Sequence, residues 1–132
     1  MSDFRTRLKS LRDGLLHLHK SLLELERSAY ERDVAKITST GQYLNLVLDD
    51  PAFLWLRELS AFIVMIDEAL AQKAPPLAEE DAERLIPQAR ALLSPSEDGI
   101  GFARGYFDIM QRDAAAVLAH RDMLKVMNSL LP

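Results

Sequence analysis

Histidine is the side chain best suited to acid–base work near neutral pH, and this chain has three: His17, His19 and His120. His120 falls on the apolar stripe of the last helical segment. There it reads either as a core histidine satisfied by a hydrogen-bond partner or as a ligand-binding or acid–base residue, with Asp67 or Tyr106 close by. His17 and His19 have Glu24 and Glu26 seven residues further on, two helical turns away on the same face. Di-metal carboxylate bundles instead place a Glu three residues before each His. Here Gly14 stands three before His17 and Leu16 three before His19, so both histidines read as solvated and no metal or other cofactor is expected.

The run Asp98-Gly-Ile-Gly-Phe-Ala-Arg-Gly105 has the spacing GxGxxxG, one residue longer than the dinucleotide fingerprint. No strand precedes it and no Walker lysine follows. It reads as a turn in which Gly101 and Gly105 let two helices approach closely. The competing reading is an anion site, because Gly101 opens a helix with Arg104 alongside. A small-ligand site in this chain would accordingly draw on Trp55, Arg57, Asp67, Gly101, Arg104, Tyr106 and His120. No GxSxG elbow or HExxH pair occurs, and no catalytic residue is assigned.

Composition removes further chemistries. No Cys is present, which excludes a thiol nucleophile, a disulfide or a zinc–thiolate site. It also fits a reducing, cytoplasmic setting. Net charge is −4 over 132 residues. Residues 1–36 hold eight basic and six acidic side chains, and residues 37–100 hold four and eleven. Without a basic face, nucleic-acid binding is not expected. The N-terminal MSDFRTRLKSLRDG has no uninterrupted apolar run, so no secretory signal is expected. With 48% hydrophobic and 27% charged residues, the chain has the composition of one globular domain, residues 1–132.

The segments that position these residues are helical. Asp50 caps and Pro51 opens a stretch to Ala71 that lacks any other Gly or Pro. Trp55, Leu56, Leu59, Phe62, Ile63, Ile66 and Leu70 cover about 120° of it, and Met65 and Ala69 widen that face. This predicts a central helix at about 51–72 covered on two sides, with Trp55 buried. The charges at Arg57, Glu58, Asp67 and Glu68 argue against a membrane span. Before it, Phe4, Leu8, Leu11, Leu15, Leu18, Leu22, Leu25 and Ala29 form a heptad seam along a first helix from Asp3 to Asp33. Gly14 is its weak link, costing about 1 kcal/mol.

Ser39 and Gln42 have capping-box form and predict a short helix over 42–48. Ala74-Pro75-Pro76 ends the central helix. A fourth helix runs from Ala78 to Leu93, with Pro87 predicting a kink or two half-helices. Phe102–Arg112 is a fifth. Asp113 caps a last helix, Ala114–Leu131, with Val117, His120, Leu124, Met127 and Leu131 inward. The fold class predicted is all-α, a helical bundle of five to six helices.

Two functional classes follow. One is a non-enzymatic interaction module that self-associates or docks on a protein partner; the other is a ligand-binding, even enzymatic, bundle with a pocket near His120 and Trp55. Self-association is expected from lengths. The first helix would span about 46 Å and the central one about 33 Å, so the N-terminal end should project past its neighbours. Phe4, Leu8, Leu11 and Leu15 continue the seam along that end, and a homodimer would cover them. A fold-back at Gly14 is the monomeric alternative.

The stretches Arg27-Ser-Ala-Tyr-Glu-Arg32, Asp50-Pro-Ala-Phe-Leu-Trp-Leu-Arg-Glu-Leu-Ser60, Ile66-Asp-Glu68, Pro95-Ser-Glu-Asp-Gly-Ile-Gly-Phe102 and Gln111-Arg-Asp113 through Leu118-Ala-His120 resemble a group of short, uncharacterised, all-helical bacterial proteins. The resemblance runs from about Leu15 onward. It implies a small helical fold in a bacterial cytoplasm and supplies no catalytic residues. The group is expected to have Pro after Gln-Arg-Asp, where this chain has Ala114.

Overall fold

The computed structural model describes residues 3–130, which form seven α-helices and no named strand. They are α1 (Phe4–Asp33), α2 (Thr40–Asp49), α3 (Pro51–Leu54), α4 (Arg57–Ala71), α5 (Glu79–Leu92), α6 (Gly101–Arg112) and α7 (Ala114–Ser129). The all-α class is as expected, with more helices than the five or six predicted. Among the described residues no helix is long and apolar enough to cross a membrane.

Local caps start these helices as their sequences dictate. Asp50 accepts from the Ala52 N–H (2.9 Å) with Pro51 at the first helical position, and Asp113 accepts from the Ala115 N–H (2.9 Å). Ser39 accepts from the Gln42 N–H (3.1 Å), while the Gln42 amide oxygen accepts from the Thr38 N–H (2.8 Å). Each cap satisfies donors that the first helical turn leaves without partners. α5 runs through Pro87 as one helix, not as two halves.

The organising helix is α1, and the expected centre at 51–72 is corrected. That stretch breaks at Trp55 and Leu56 into α3 and α4, the turn tightening through Leu56 N–H to the Phe53 carbonyl (3.1 Å). α4 is also covered less than predicted, leaving Val64 and Met65 exposed. α1 packs against α3, α4, α5 and α7, and its Leu8, Leu11, Leu15, Leu18 and Leu22 are almost wholly buried. An unbroken heptad seam offers one straight apolar edge along which shorter helices can be laid. Gly14 does not break it. A Cβ there would lie 3.0–3.1 Å from Met123 and Val126 side-chain atoms, so the glycine is where α7 crosses.

That arrangement removes the reason for a dimer through Phe4, Leu8, Leu11 and Leu15. The three leucines are inside the chain's own core and Phe4 packs against it. The N-terminal end of α1 does not project. Arg5 donates to the Leu70 carbonyl at the end of α4 (3.2 Å), and Arg7 pairs with Glu83 of α5. Lengths misled because α4 covers only the N-terminal half of α1. The other half meets Phe53 of α3, whose ring lies 6.0 Å from Tyr30 and 6.1 Å from Tyr43 of α2.

α7 is rotated from the expected phase. Ala116, Met123, Met127 and Leu130 point inward, while Val117 and Leu124 are exposed; Leu131 lies outside the described residues. The contact of Met123 and Val126 with Gly14 sets this rotation.

Candidate functional site

The glycine run and Trp55 do meet, on the pattern of close approach. Gly101 has φ +60°, a conformation L side chains resist, and a Cβ there would strike the Glu58 carboxylate. Glu58 of α4 reaches across to accept the Phe102 N–H (3.0 Å) at the start of α6. The anion-site reading of Gly101 and Arg104 is thereby corrected, because a carboxylate of the chain itself already sits on that helix end. Arg104 is likewise engaged, donating to Asp108 (3.0 and 3.1 Å) and to the Glu97 carbonyl. At Gly105 a Cβ would lie 2.5–2.6 Å from the Trp55 ring, so the indole rests directly on the α6 backbone. Trp55 is half-buried, not buried as predicted.

From Trp55 a row of rings runs into the core. Trp55 and Phe102 centroids are 5.5 Å apart, Phe102 and Tyr106 5.0 Å, and Tyr106 and His120 5.1 Å. Tyr106 is fully buried, and its hydroxyl lies 2.6 Å from His120 Nδ1. Burial pushes the Tyr106 phenol up and the half-buried His120 imidazole down, each toward its neutral form. Phenol and imidazole therefore satisfy one another, with the donor set by the tautomer. His120 is a core histidine and does not line a cavity with Trp55, which corrects the expected pocket.

Arg57 and Asp67 also lie elsewhere. Arg57 donates to the Leu48 carbonyl near the end of α2 (3.1 Å), and Asp67 accepts from Arg12 of α1 (3.3 Å). The Arg12–Asp67 pair belongs to a polar seam. Arg5, Arg12, His19 and Glu26 recur every seven residues on α1, and the first three reach Leu70, Asp67 and Ser60 of α4. His19, expected in solvent, is half-buried with Nε2 2.7 Å from Ser60 Oγ, and burial lowers its pKa. A Ser–His contact suggests a nucleophile and its base, but no carboxylate pairs with His19 among the described residues. No group of three or more His, Asp or Glu side chains is placed to hold a metal ion among them either.

What does open to solvent is a cleft of about 540 Å³ between α3, the turn at Gly99–Ile100 and α6. Of the candidate residues Trp55, Gly101 and Arg104 line it, together with Gly105, Asp108, Glu26 and Arg112, which the candidate set did not include. Glu26 of α1 is 4% exposed and forms an ion pair with Arg112 of α6. Helical phase contains a signal for it. Glu26 lies four residues past Leu22 and eleven past Leu15, which puts it within about 20° of the buried leucine edge. A second depression, an apolar groove of about 590 Å³, lies between α4 and α5, lined by Ala61, Phe62, Met65, Ala91 and Leu92 with Glu58 and Gln88 at its edges.

No protein-family model, curated protein or solved structure matches the chain.

Proposed function

We propose that this chain is a non-enzymatic helical module that docks a protein partner, and that the partner lays an amphipathic helix into the α4–α5 groove. The observation that carries this reading is Met65, a large apolar side chain left 42% exposed on α4 and flanked in the groove by Ala61, Phe62, Ala91 and Leu92. An apolar groove between two helices is the usual seat for a helix presenting residues at i, i+3, i+4 and i+7. Methionine adapts its shape to such a guest. Charge narrows the partner. α4 and α5 together hold seven acidic residues against three arginines, and only Asp67 and Glu83 are neutralised from α1, by Arg12 and Arg7. A helix with basic flanks complements that balance. A bacterial, cytoplasmic setting belongs to the same proposal and rests on the resemblance given above.

A synthetic Leu/Lys amphipathic helix of about 18 residues, titrated into isotopically labelled protein, tests the proposal. Amide shifts should concentrate at Ala61, Met65, Ala91 and Leu92. Met65→Glu should weaken the binding even though it adds a favourable charge, because it removes the apolar contact. Shifts absent, or spread over the surface, would defeat the reading. Sedimentation that finds a reversible dimer abolished by Met65→Glu would replace the foreign helix with a second copy of this chain.

A further inference from the structure

We infer that the cleft between α3 and α6 is a second, separate binding site, and that its ligand is a small zwitterion with an apolar body, of the amino-acid type. Four formal charges face this cleft. Arg104, Asp108 and Arg112 follow one another at four-residue spacing along one side of α6, and Glu26 lies beneath them on α1. The charges cancel, so a ligand of one sign gains nothing from the summed field.

The Glu26–Arg112 pair decides which ligand fits. Glu26 is buried and Arg112 is half exposed. The Glu26 Oε1 atom pairs with the Arg112 guanidinium, and among the described residues no other side chain is paired with this carboxylate. A carboxylate has about four acceptor sites, so it can take a further N–H group beside Arg112. A simple anion that drew Arg112 away would strand a buried carboxylate, which is costly. A zwitterion entering between the two meets both needs at once: its ammonium donates to Glu26 and its carboxylate accepts from Arg112. One pair becomes two, and no buried charge is left alone. Arg104 is held out of this exchange by Asp108 and the Glu97 carbonyl.

The walls supply the remaining selectivity. The Trp55 indole, backed by the Gly105 backbone, offers an apolar and cation-tolerant surface. Ile100 at the rim is 89% exposed, so a ligand with an apolar side chain recovers surface that the fold leaves in water. A volume of about 540 Å³ lies within the range of small-ligand clefts.

Trp55 is the chain's one tryptophan, which makes the cleft directly observable. The test titrates full-length protein with L-leucine, with N-acetyl-leucine (an anion) and with leucinamide (a cation), following indole fluorescence and amide shifts. Leucine should give a saturable change centred on Trp55 and α6. The two singly charged analogues should bind more weakly by about tenfold or more. Glu26→Gln and Arg112→Gln should each weaken the leucine response, whereas Met65→Glu should leave it unchanged. No saturable response to any of the three, equal responses, or a preference for the anion would overturn the proposal. So would a leucine response that survives both cleft variants. Should either variant fail to fold, the charge series on the unaltered chain decides alone.

Discussion

The α3–α6 cleft and the α4–α5 groove have no lining residue in common and are built on opposite principles. Glu58 edges the groove and caps α6. In the cleft, charged groups are fixed by one another. Arg104 is held by Asp108, Arg112 by Glu26, and the indole is pressed onto glycine. In the groove the lining is mostly Ala, Phe, Met and Leu, and Met65 is left 42% exposed. A prearranged set of charges discriminates by the charge pattern of its guest, whereas an apolar groove discriminates by shape and buried area. On the readings proposed above, the first surface would take a small zwitterion and the second a helix.

This contrast breaks first at Arg112. Arg112→Ala should destabilise the fold by about 2–3 kcal/mol, because it leaves Glu26 buried without a partner; water entering the vacated space keeps the loss below that of a fully enclosed pair. Glu26→Gln should cost less, since the half-exposed Arg112 can turn to solvent. Urea melts of the two variants read the asymmetry. Equal losses would mean that burial of Glu26 is not what holds the cleft together.

Next in size is Gly105→Ala, expected to cost about 1–3 kcal/mol because its new methyl meets the Trp55 ring. The same substitution should move the indole emission as the ring is displaced. Gly41 is the control: a Cβ there meets nothing within 4 Å, so Gly41→Ala should not destabilise. A Gly105→Ala protein with unchanged emission and stability would remove the cleft's structural premise.

Acid should separate the two regions more gently. His120 backs the cleft through Tyr106 and Phe102, His19 lies in the α1–α4 seam, and no histidine lines the groove. Both imidazoles have folded pKa values lowered by burial. The unfolded chain therefore takes up these protons first. Stability from this source is complete above about pH 6.5 and is lost as pH falls through the lowered folded values. Melting temperatures should be level at neutral pH and decline from about pH 6.5 downward. His120→Gln and His19→Gln should each flatten part of that decline. The unaltered chain showing no decline above the carboxylate range would contradict the burial of both rings.

The smallest effect is expected in the groove. Val64→Lys, beside it on the exposed face of α4, should change stability by no more than about 0.5 kcal/mol. A large loss there would mean that a partner or second copy already covers this face under the conditions of measurement.

Much of the fold was legible because its signals are local. The seam from Phe4 to Leu22 repeats every three or four residues, and Ser39, Asp50 and Asp113 cap N–H groups two or three residues away. Backbone hydrogen bonding and helical phase act over that same range, so sequence alone determined where the locally capped helices start and that the chain is all-helical.

The tertiary structure decided what depends on distant partners. Which helix is central is settled by how many others bury against it, and α1 takes that place since its seam runs unbroken while residues 50–71 bend at Trp55. At that bend the indole is seated on Gly105, fifty residues away, and α6 starts with Glu58 as its cap, forty-four residues from Phe102. Glu26 was hidden for the same reason. A glutamate on a leucine edge has no visible purpose until a second helix brings an arginine over it, and only then does burying its charge become affordable.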